Sequence, residues 1–525
     1  MLKVQLIRYH DLDNTNTRLA QSLNEKQGVL PPLGLGYIAS SLEKAGFEVD
    51  IIDAIALAIS KEEVSKRIKE FDPHIVGITA MTPTIKGAFE AAEVAKKLGK
   101  ITIIGGVHMS IFPLETLQRN SVDFGIVGEG EESMVQFCKA IENDDSYENV
   151  EGLCYKKDGR IIIGQPKFIS DVDSVPMPSY HLLPMKKYSS IIGLHPTSTM
   201  MGSRGCPYLC GFCYKTPSDK KYRTRSVESI VDEIEYLIKN HGIKEIMFYD
   251  DIMPQQYAAD LSNEIIKRNV KISWQTPERV NLVNPDLLKL MAKAGCRVLR
   301  FGVEQGDPDQ MAFVEKRINP EQVKDAFKEA KKAGINTFAY FIIGYVNETE
   351  KTMQATIDLA KELDPRYVMF TKATPLPNTP LMQQSVEQGL IEPDYWTRFV
   401  LGEKLQPIKS LVPDADLWVK KAYRSFYLRP SKIFQQILRI RSFDDLKKNL
   451  DAFFGILSFK MREDAFTVIR KRTFDDRMKQ GGNMIYSSSP LLEIENLKDN
   501  LESFEEDLNK ENPTNNLPKI WNELI

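Results

Sequence analysis

Short apolar runs alternate with amphipathic stretches in two separate series along the chain. In residues 1–145 the runs VQLIR, VDIID, IVGIT, ITIIGG and FGIVG are rich in β-branched residues and read as strands. Between them, IKGAFEAAEVAKKLG places Ile85, Phe89, Ala92, Val94 and Leu98 near helical spacing. Five β/α units of this kind predict a flavodoxin-like or Rossmann-like α/β domain, with ligands expected outside the carboxyl ends of its strands. The second series begins near Thr197, with strand runs TSTMMGS, EIMFYD, ISWQT, VLRFGVE, FAYFIIG and YVMFTKA. Helical runs lie between them, and some stop at glycine (Gly295, Gly334), as a left-handed C-cap favours. Six β/α repeats are too few for a complete eightfold barrel but keep its order. A partial (β/α)6 TIM-like barrel is expected over 197–380.

The remaining segments follow neither pattern. Within 146–196, KKDGRIIIGQ reads as a hairpin turning at Asp158-Gly159, and DVDSVPMPSYHLLPM is too rich in Pro and Asp for a long element; this stretch is expected to be a linker. Residues 381–470 read as a C-terminal helical region, including the aromatic and basic run AYRSFYLRPSKIFQQILRIRSF. Residues 471–525 form a polar tail, disordered or loosely docked by expectation.

A chain of 525 residues with 42% hydrophobic and 27% charged residues has the balance of a soluble protein of two or three domains. Its net charge of -3 offers no broad basic field, which argues against a nucleic-acid partner. MLKVQLIRYHDLDN lacks the pattern of a signal peptide, and no apolar run is long enough for an integral membrane segment, so a cytoplasmic location is expected. Thiols stay reduced there, and six cysteines are then no disulfide framework.

Three of the six, Cys206, Cys210 and Cys213, fall within GCPYLCGFCYK, on the loop that follows the first strand of the second series. Barrel active sites are built at that end. Clustered thiolates select zinc or an iron–sulfur cluster. Structural zinc wants four ligands, usually in two separated pairs, whereas the closest histidines here are His195 and His241. A cubane held by three cysteines leaves one iron open to a ligand. The competing readings are a structural zinc loop or three unrelated thiols. Cys138, Cys154 and Cys296 read as core thiols.

The C-x3-C-x2-C spacing, with Phe212 before the last cysteine, resembles the signature of the radical S-adenosylmethionine superfamily. FYDDIMP, FGVEQGD, GYVNETE and TPLPNTPL, after the second, fourth, fifth and sixth strands, are similar to recurrent family stretches. The resemblance implies a [4Fe–4S] cluster on the three cysteines. Its open iron chelates S-adenosylmethionine, which is reductively cleaved to a 5′-deoxyadenosyl radical. It also implies cofactor contacts from Phe212, Asp250, Glu304 and Gly344, with Asp251 beside them. A salt-bridged carboxylate is the alternative for Glu304, and a helix N-cap for Asp250 and Asp251.

An α/β domain ahead of such a barrel resembles the cobalamin-binding class of the superfamily. The stretches that carry this are VLPPLGLGYIAS, GITAMTPT, IIGGVHMS and GIVGEGEESM. They imply corrin contacts from Thr79, Thr82, Gly105, Gly106, His108, Gly128, Glu129 and Gly130, the glycines by admitting close backbone approach. D-x-H-x-x-G is missing, because Asp53 is followed by Ala54 and Ile55. The corrin is therefore expected base-off, with His108 either a ligand or an ordinary hydrogen-bonded residue. The subgroup resembled contains oxidative cyclases of a magnesium-porphyrin ester and many methylases. It implies methylation of an unactivated carbon of a small-molecule or lipid substrate, with an external electron donor such as flavodoxin or ferredoxin. Radical cyclisation or rearrangement is the alternative, and a non-catalytic cobalamin or iron–sulfur sensor is the alternative of another class. KIFQQILRIRSF, Lys432–Phe443, is expected to pack on the barrel rather than lie in a membrane interface.

Overall fold

The computed structural model describes residues 2–10, 29–190, 192–214 and 221–437. The first apolar series forms strands β1 (Lys3–Arg8), β2 (Glu48–Asp53), β3 (Ile75–Thr79), β4 (Ile101–Gly105) and β5 (Phe124–Ile126). They pair in parallel in the order β2-β1-β3-β4-β5, the flavodoxin-like order, with the strand sequence reversing beside β1. The inner strands are apolar on both faces because helices cover both, as in the fully buried run Ile75–Ile78 of β3. The helix Lys61–Phe71 shows the local logic: Ser60 caps its start, Val64 and Ile68 face the core, and Asp72 ends it in the left-handed region.

The hairpin predicted as part of a linker is instead the edge of this sheet. Its strands β6 (Leu153–Lys157) and β7 (Arg160–Ile162) add antiparallel to β5 and complete a seven-stranded sheet, so the first domain runs past residue 145. Without the hairpin, the outer backbone groups of β5 would lack ladder partners.

The second series forms β8 (Thr197–Met200), a small hairpin β9 (Ser203–Arg204) with β10 (Arg223–Thr224), then β11 (Glu245–Phe248), β12 (Ser273–Glu278), β13 (Cys296–Glu304), β14 (Asn336–Ile343) and β15 (Tyr367–Lys372). Six of these strands form one parallel sheet, β15-β14-β13-β12-β11-β8, the expected partial barrel. Asn284, Asn319 and Thr349 cap the intervening helices, and Gly242, Gly295 and Gly334 follow helices in the left-handed region. The end of the predicted linker closes the amino-terminal end of the barrel. Glu245, wholly buried on β11, accepts from the Leu194 N–H at 2.7 Å, and Arg297 pairs with Glu245 and donates to the Ile192 carbonyl at 2.6 Å.

A six-stranded barrel leaves β15 with an open edge, and the helix Ala415–Tyr427 covers it. Tyr423 Oη accepts from the Phe370 N–H at 3.2 Å. Tyr427 Oη accepts from the Val368 N–H at 2.9 Å and donates to the Val368 carbonyl at 3.0 Å. Two phenols on one helix face thus stand in for a neighbouring strand. Phenylalanine at both positions should strand these buried backbone groups at a cost of about 1–3 kcal/mol each. The expected result is a lower urea midpoint with an unchanged slope.

The helix Pro430–Ile437 begins the run predicted to pack on the barrel. Lys432 is buried in it, with Nζ donating to the Pro365 carbonyl at 2.7 Å and pairing with Asp364 at 3.0 Å, so this cation is an anchor. Residues 438–470 and the tail 471–525 lie outside the described residues. Among the described residues no helix is long and apolar enough to cross a membrane.

Candidate active site

The cysteine loop is an excursion between β9 and β10, whose antiparallel pairing pins its two roots together. Cys206 is buried, Cys210 and Cys213 are half-buried, and none of the six cysteines is in a disulfide. The Cys213 N–H donates to the Cys210 carbonyl at 3.0 Å, closing a tight turn. Two further bonds tie the turn to the short helices that follow β13 and β15: the Gly211 N–H donates to Val314 O at 3.0 Å, and the Leu381 N–H donates to Gly211 O at 2.9 Å. Phe212 packs against the apolar cluster of Val314, Ile342, Tyr345 and Leu381, which anchors the turn. Among the described residues no three His, Cys, Asp or Glu side chains gather where a single metal ion would sit. A polynuclear cluster, in which each thiolate holds its own iron, needs less convergence than that, and three thiols on one anchored loop suit it.

Four adjacent strands, β11 to β14, add polar groups at the mouth. Glu304 ends β13 at φ +70°, just after a bulge between Gly302 and Glu304. It is buried, and its Oε1 accepts from Lys316 Nζ at 2.6 Å, so the salt-bridged alternative describes its resting state. Gly302 makes room for the pair, since a Cβ there would collide with both Lys316 Nζ and Glu304 Oε1. Asp250 follows β11 and accepts from the N–H groups of Gly202 and Ser203 at 2.8 and 3.2 Å, which fixes the root of the cysteine loop. It does not cap the next helix, whose N-cap is Pro254; Asp251 is exposed. Burial pushes the Asp250 pKa up to about 7, against the pull of its two backbone donors. Gly344, at φ +82°, donates its N–H to Glu348 Oε2 at 2.6 Å. A Cβ there would lie 2.5 Å from Ala415 Cβ, so close packing of the C-terminal helix accounts for this glycine.

Asp250 Oδ2, Glu278 Oε2, Gln305 Oε1, Tyr345 Oη and Glu348 Oε1 are buried with no hydrogen-bond partner among the described residues. Unsatisfied buried atoms are rare in folded proteins. These five lie at or just after the carboxyl ends of β11 to β14, positions that suit a polar ligand such as S-adenosylmethionine.

The strand ends of the first domain correct several expectations. His108 is fully buried, with Nδ1 at 3.1 Å from Thr82 Oγ1 and Nε2 at 3.0 Å from Thr116 Oγ1. Both ring nitrogens are engaged, and burial pulls the pKa down to about 3, so His108 is the ordinary hydrogen-bonded residue and holds Thr82 with it. Gly106, at φ +93°, is required by its own neighbours, because a Cβ would lie 2.7 Å from the Ala80 carbonyl and 3.1 Å from Thr79 Oγ1. Gly128, at φ +83°, is required in the same way by Lys167, and Gly130 opens the helix Gly130–Asn143 against Ile38. Gly105 alone of these glycines has open space where a side chain would project. Beside it, Met81 and Val107 are 57% and 49% exposed, an apolar rim on which a large ring would fit. No pattern in the sequence singled them out.

The Glu129 carboxylate is occupied by partners from the second domain and the linker. Its carboxylate takes Arg223 Nη1 and Nη2 at 2.8 and 2.9 Å, Arg204 at 3.2 Å and the Ile169 N–H at 2.7 Å. Glu131 pairs with Arg204 at 2.6 Å. Arg204 and Arg223 are the roots of the cysteine loop, so the strand-end loop after β5 is bolted directly to it. Arg204 and Arg223 carry no motif, and nothing in their local sequence announces them.

The chain matches the Radical SAM superfamily over residues 200–360 and the B12 binding domain over residues 23–137. It is 36% identical to an uncharacterized methyltransferase of Pyrococcus horikoshii, over 79% of this chain and 91% of that protein. It is 30% identical to the anaerobic magnesium-protoporphyrin IX monomethyl ester cyclase of Cereibacter sphaeroides, over 77% of this chain and 68% of that protein. The fold is similar to that of the radical S-adenosylmethionine methyltransferase TsrM from Kitasatospora setae, solved with cobalamin and a [4Fe–4S] cluster bound. The TM-score is 0.60 at 20% identity, over 74% of this chain and 75% of that one. With its cysteine loop on a partial barrel and an α/β sheet bolted to that loop, the chain belongs to the radical S-adenosylmethionine superfamily, in the class that carries a B12-binding domain.

Proposed function

We propose that the protein is a cobalamin-dependent radical S-adenosylmethionine methyltransferase that acts on an unactivated carbon of a small-molecule or lipid substrate. When bound, the cluster and corrin supply one-electron cleavage of S-adenosylmethionine and a transferable methyl group. In this reading Cys206, Cys210 and Cys213 hold the cluster. Asp250, Glu304 and the backbone at Gly344 border S-adenosylmethionine, and Thr79, Gly105, Met81 and Val107 border the corrin. The enzyme works in the cytoplasm and takes electrons from a flavodoxin or ferredoxin.

The observation that carries the reading is the ion-pair lattice of Glu129 and Glu131 with Arg204 and Arg223. Its four side chains are between 6% and 16% exposed. Buried, mutually hydrogen-bonded charges hold two elements in one geometry, because breaking the set leaves an uncompensated charge. Here the elements are the strand-end loop of the B12-binding domain and the root of the cysteine loop. Methyl transfer between two cofactors needs such fixed spacing.

The Cereibacter relative favours oxidative cyclisation as the second reading. Anaerobically reconstituted protein should convert S-adenosylmethionine to 5′-deoxyadenosine under a strong reductant. A deletion strain should then lack a metabolite one methylene heavier than the compound it accumulates. An accumulated compound that differs from the missing one by a ring closure would replace methylation with cyclisation. Absence of 5′-deoxyadenosine would remove both readings.

A further inference from the structure

Arg279, the first residue after β12, is 6% exposed, and each nitrogen of its guanidinium has a partner. Nε donates to Asn281 Oδ1 at 3.2 Å, Nη2 to the Lys316 carbonyl, and Nη1 to Cys210 Sγ at 3.8 Å. The guanidinium lies 3.7 Å over the ring of Tyr208, which belongs to the cysteine loop itself. Arg279 is therefore held on both sides with one N–H directed at a cluster ligand.

Its charge needs an answer as well. A guanidinium stays protonated in any protein environment, and burying it without a counter-charge is costly. No carboxylate among the described residues lies within ion-pair distance of Arg279. The adjacent carboxyl of Glu278 is buried, and its Oε1 accepts from the Arg279 backbone N–H at 2.9 Å; desolvation raises its pKa while this bond and the Arg279 charge pull it down. Lys316 differs: its ammonium is matched by Glu304 at 2.6 Å. The atom of the cysteine loop that the geometry offers to the Arg279 N–H is Cys210 Sγ.

We propose that Arg279 is a positioning residue for the cluster, setting its reduction potential through an N–H···S bond to Cys210 and a fixed positive charge beside it. Reduction adds one electron from the external donor and makes no bond at Arg279. The added negative charge develops in a low-dielectric site, where a nearby cation and a hydrogen bond to sulfur stabilise the reduced form more than the oxidised one. The inference rests on the cluster assignment and is independent of whether the reaction is methylation or cyclisation.

The test is an EPR-monitored redox titration of the full chain, anaerobically reconstituted, without S-adenosylmethionine. Wild type must first show about four irons per chain and a reduced-cluster signal; their absence would sink the cluster assignment itself, before this inference is reached. Arg279→Gln is expected to keep its iron and become harder to reduce. At the wild-type midpoint its oxidised-to-reduced ratio should rise at least about tenfold, which is 59 mV for a one-electron couple. Arg279→Lys, which keeps the charge and loses the fork, should fall between the two. An iron-loaded Arg279→Gln with the wild-type midpoint overturns the proposal. If Arg279→Gln loses its iron, Arg279→Lys decides. A lowered midpoint supports tuning, whereas a wild-type midpoint, or loss of iron from that variant too, overturns it and leaves Arg279 a residue of cluster retention.

Discussion

Alanine at Cys206, Cys210 or Cys213 is expected to abolish the visible absorbance of the reconstituted protein and to cut 5′-deoxyadenosine formation by at least ~100-fold. The size of the effect follows from the loop. Phe212 is packed, Gly211 is bonded to Val314 and Leu381, and Cys213 is bonded to Cys210, so the turn cannot shift to recruit another donor. The other thiols give no rescue. Cys138, Cys154 and Cys296 are buried in the two cores, where desolvation raises their pKa values and disfavours the thiolate that iron requires. Iron content and the activity assay check this together. Retention of four irons in all three variants would refute the iron–sulfur assignment, as would zinc in wild type with no iron recoverable after anaerobic reconstitution.

The second large effect is expected at Gly105. Tryptophan there projects into open space beside the exposed Met81 and Val107, so the fold and iron content should survive while cobalamin affinity falls by about a hundredfold, ~2.8 kcal/mol. Gly106→Trp is the wrong probe. It forces a side chain onto a residue at φ +93° and against the Ala80 carbonyl, so any loss of binding would report backbone strain. Cobalamin bound to wild type should show a base-off spectrum, and His108→Ala should leave that spectrum unchanged, because both imidazole nitrogens are already engaged by threonine hydroxyls. Undiminished cobalamin binding by Gly105→Trp would move the corrin away from the end of β4. A base-on spectrum that disappears in His108→Ala would restore the histidine as a ligand.

The elements themselves were legible from the chain, because periodicity and capping act over a few residues. IVGIT reads as a strand and is one, and Gly295 and Gly334 end their helices in the left-handed region as read. The cysteine loop was equally legible, since its three thiols and Phe212 are contiguous and follow a strand directly. The partners of the charged and polar groups were not legible. Glu129 meets Arg223 across 94 residues and Arg204 meets Glu131 across 73, and these separations become contacts only once two sheets have formed and docked. The same holds for Lys316 on Glu304 and for Tyr423 and Tyr427 on the edge of β15. A carboxylate or phenol looks the same in sequence whether it meets a cofactor, an arginine or a backbone amide. A glycine likewise does not reveal whether it borders open space, as Gly105 does, or leaves room for its own backbone, as Gly106 does. Local sequence determined which elements form and where the clustered thiols lie, because those depend on neighbours in the chain. Tertiary structure decided which charges are spent on holding the two domains together and which remain for chemistry, because burial and pairing depend on neighbours in space.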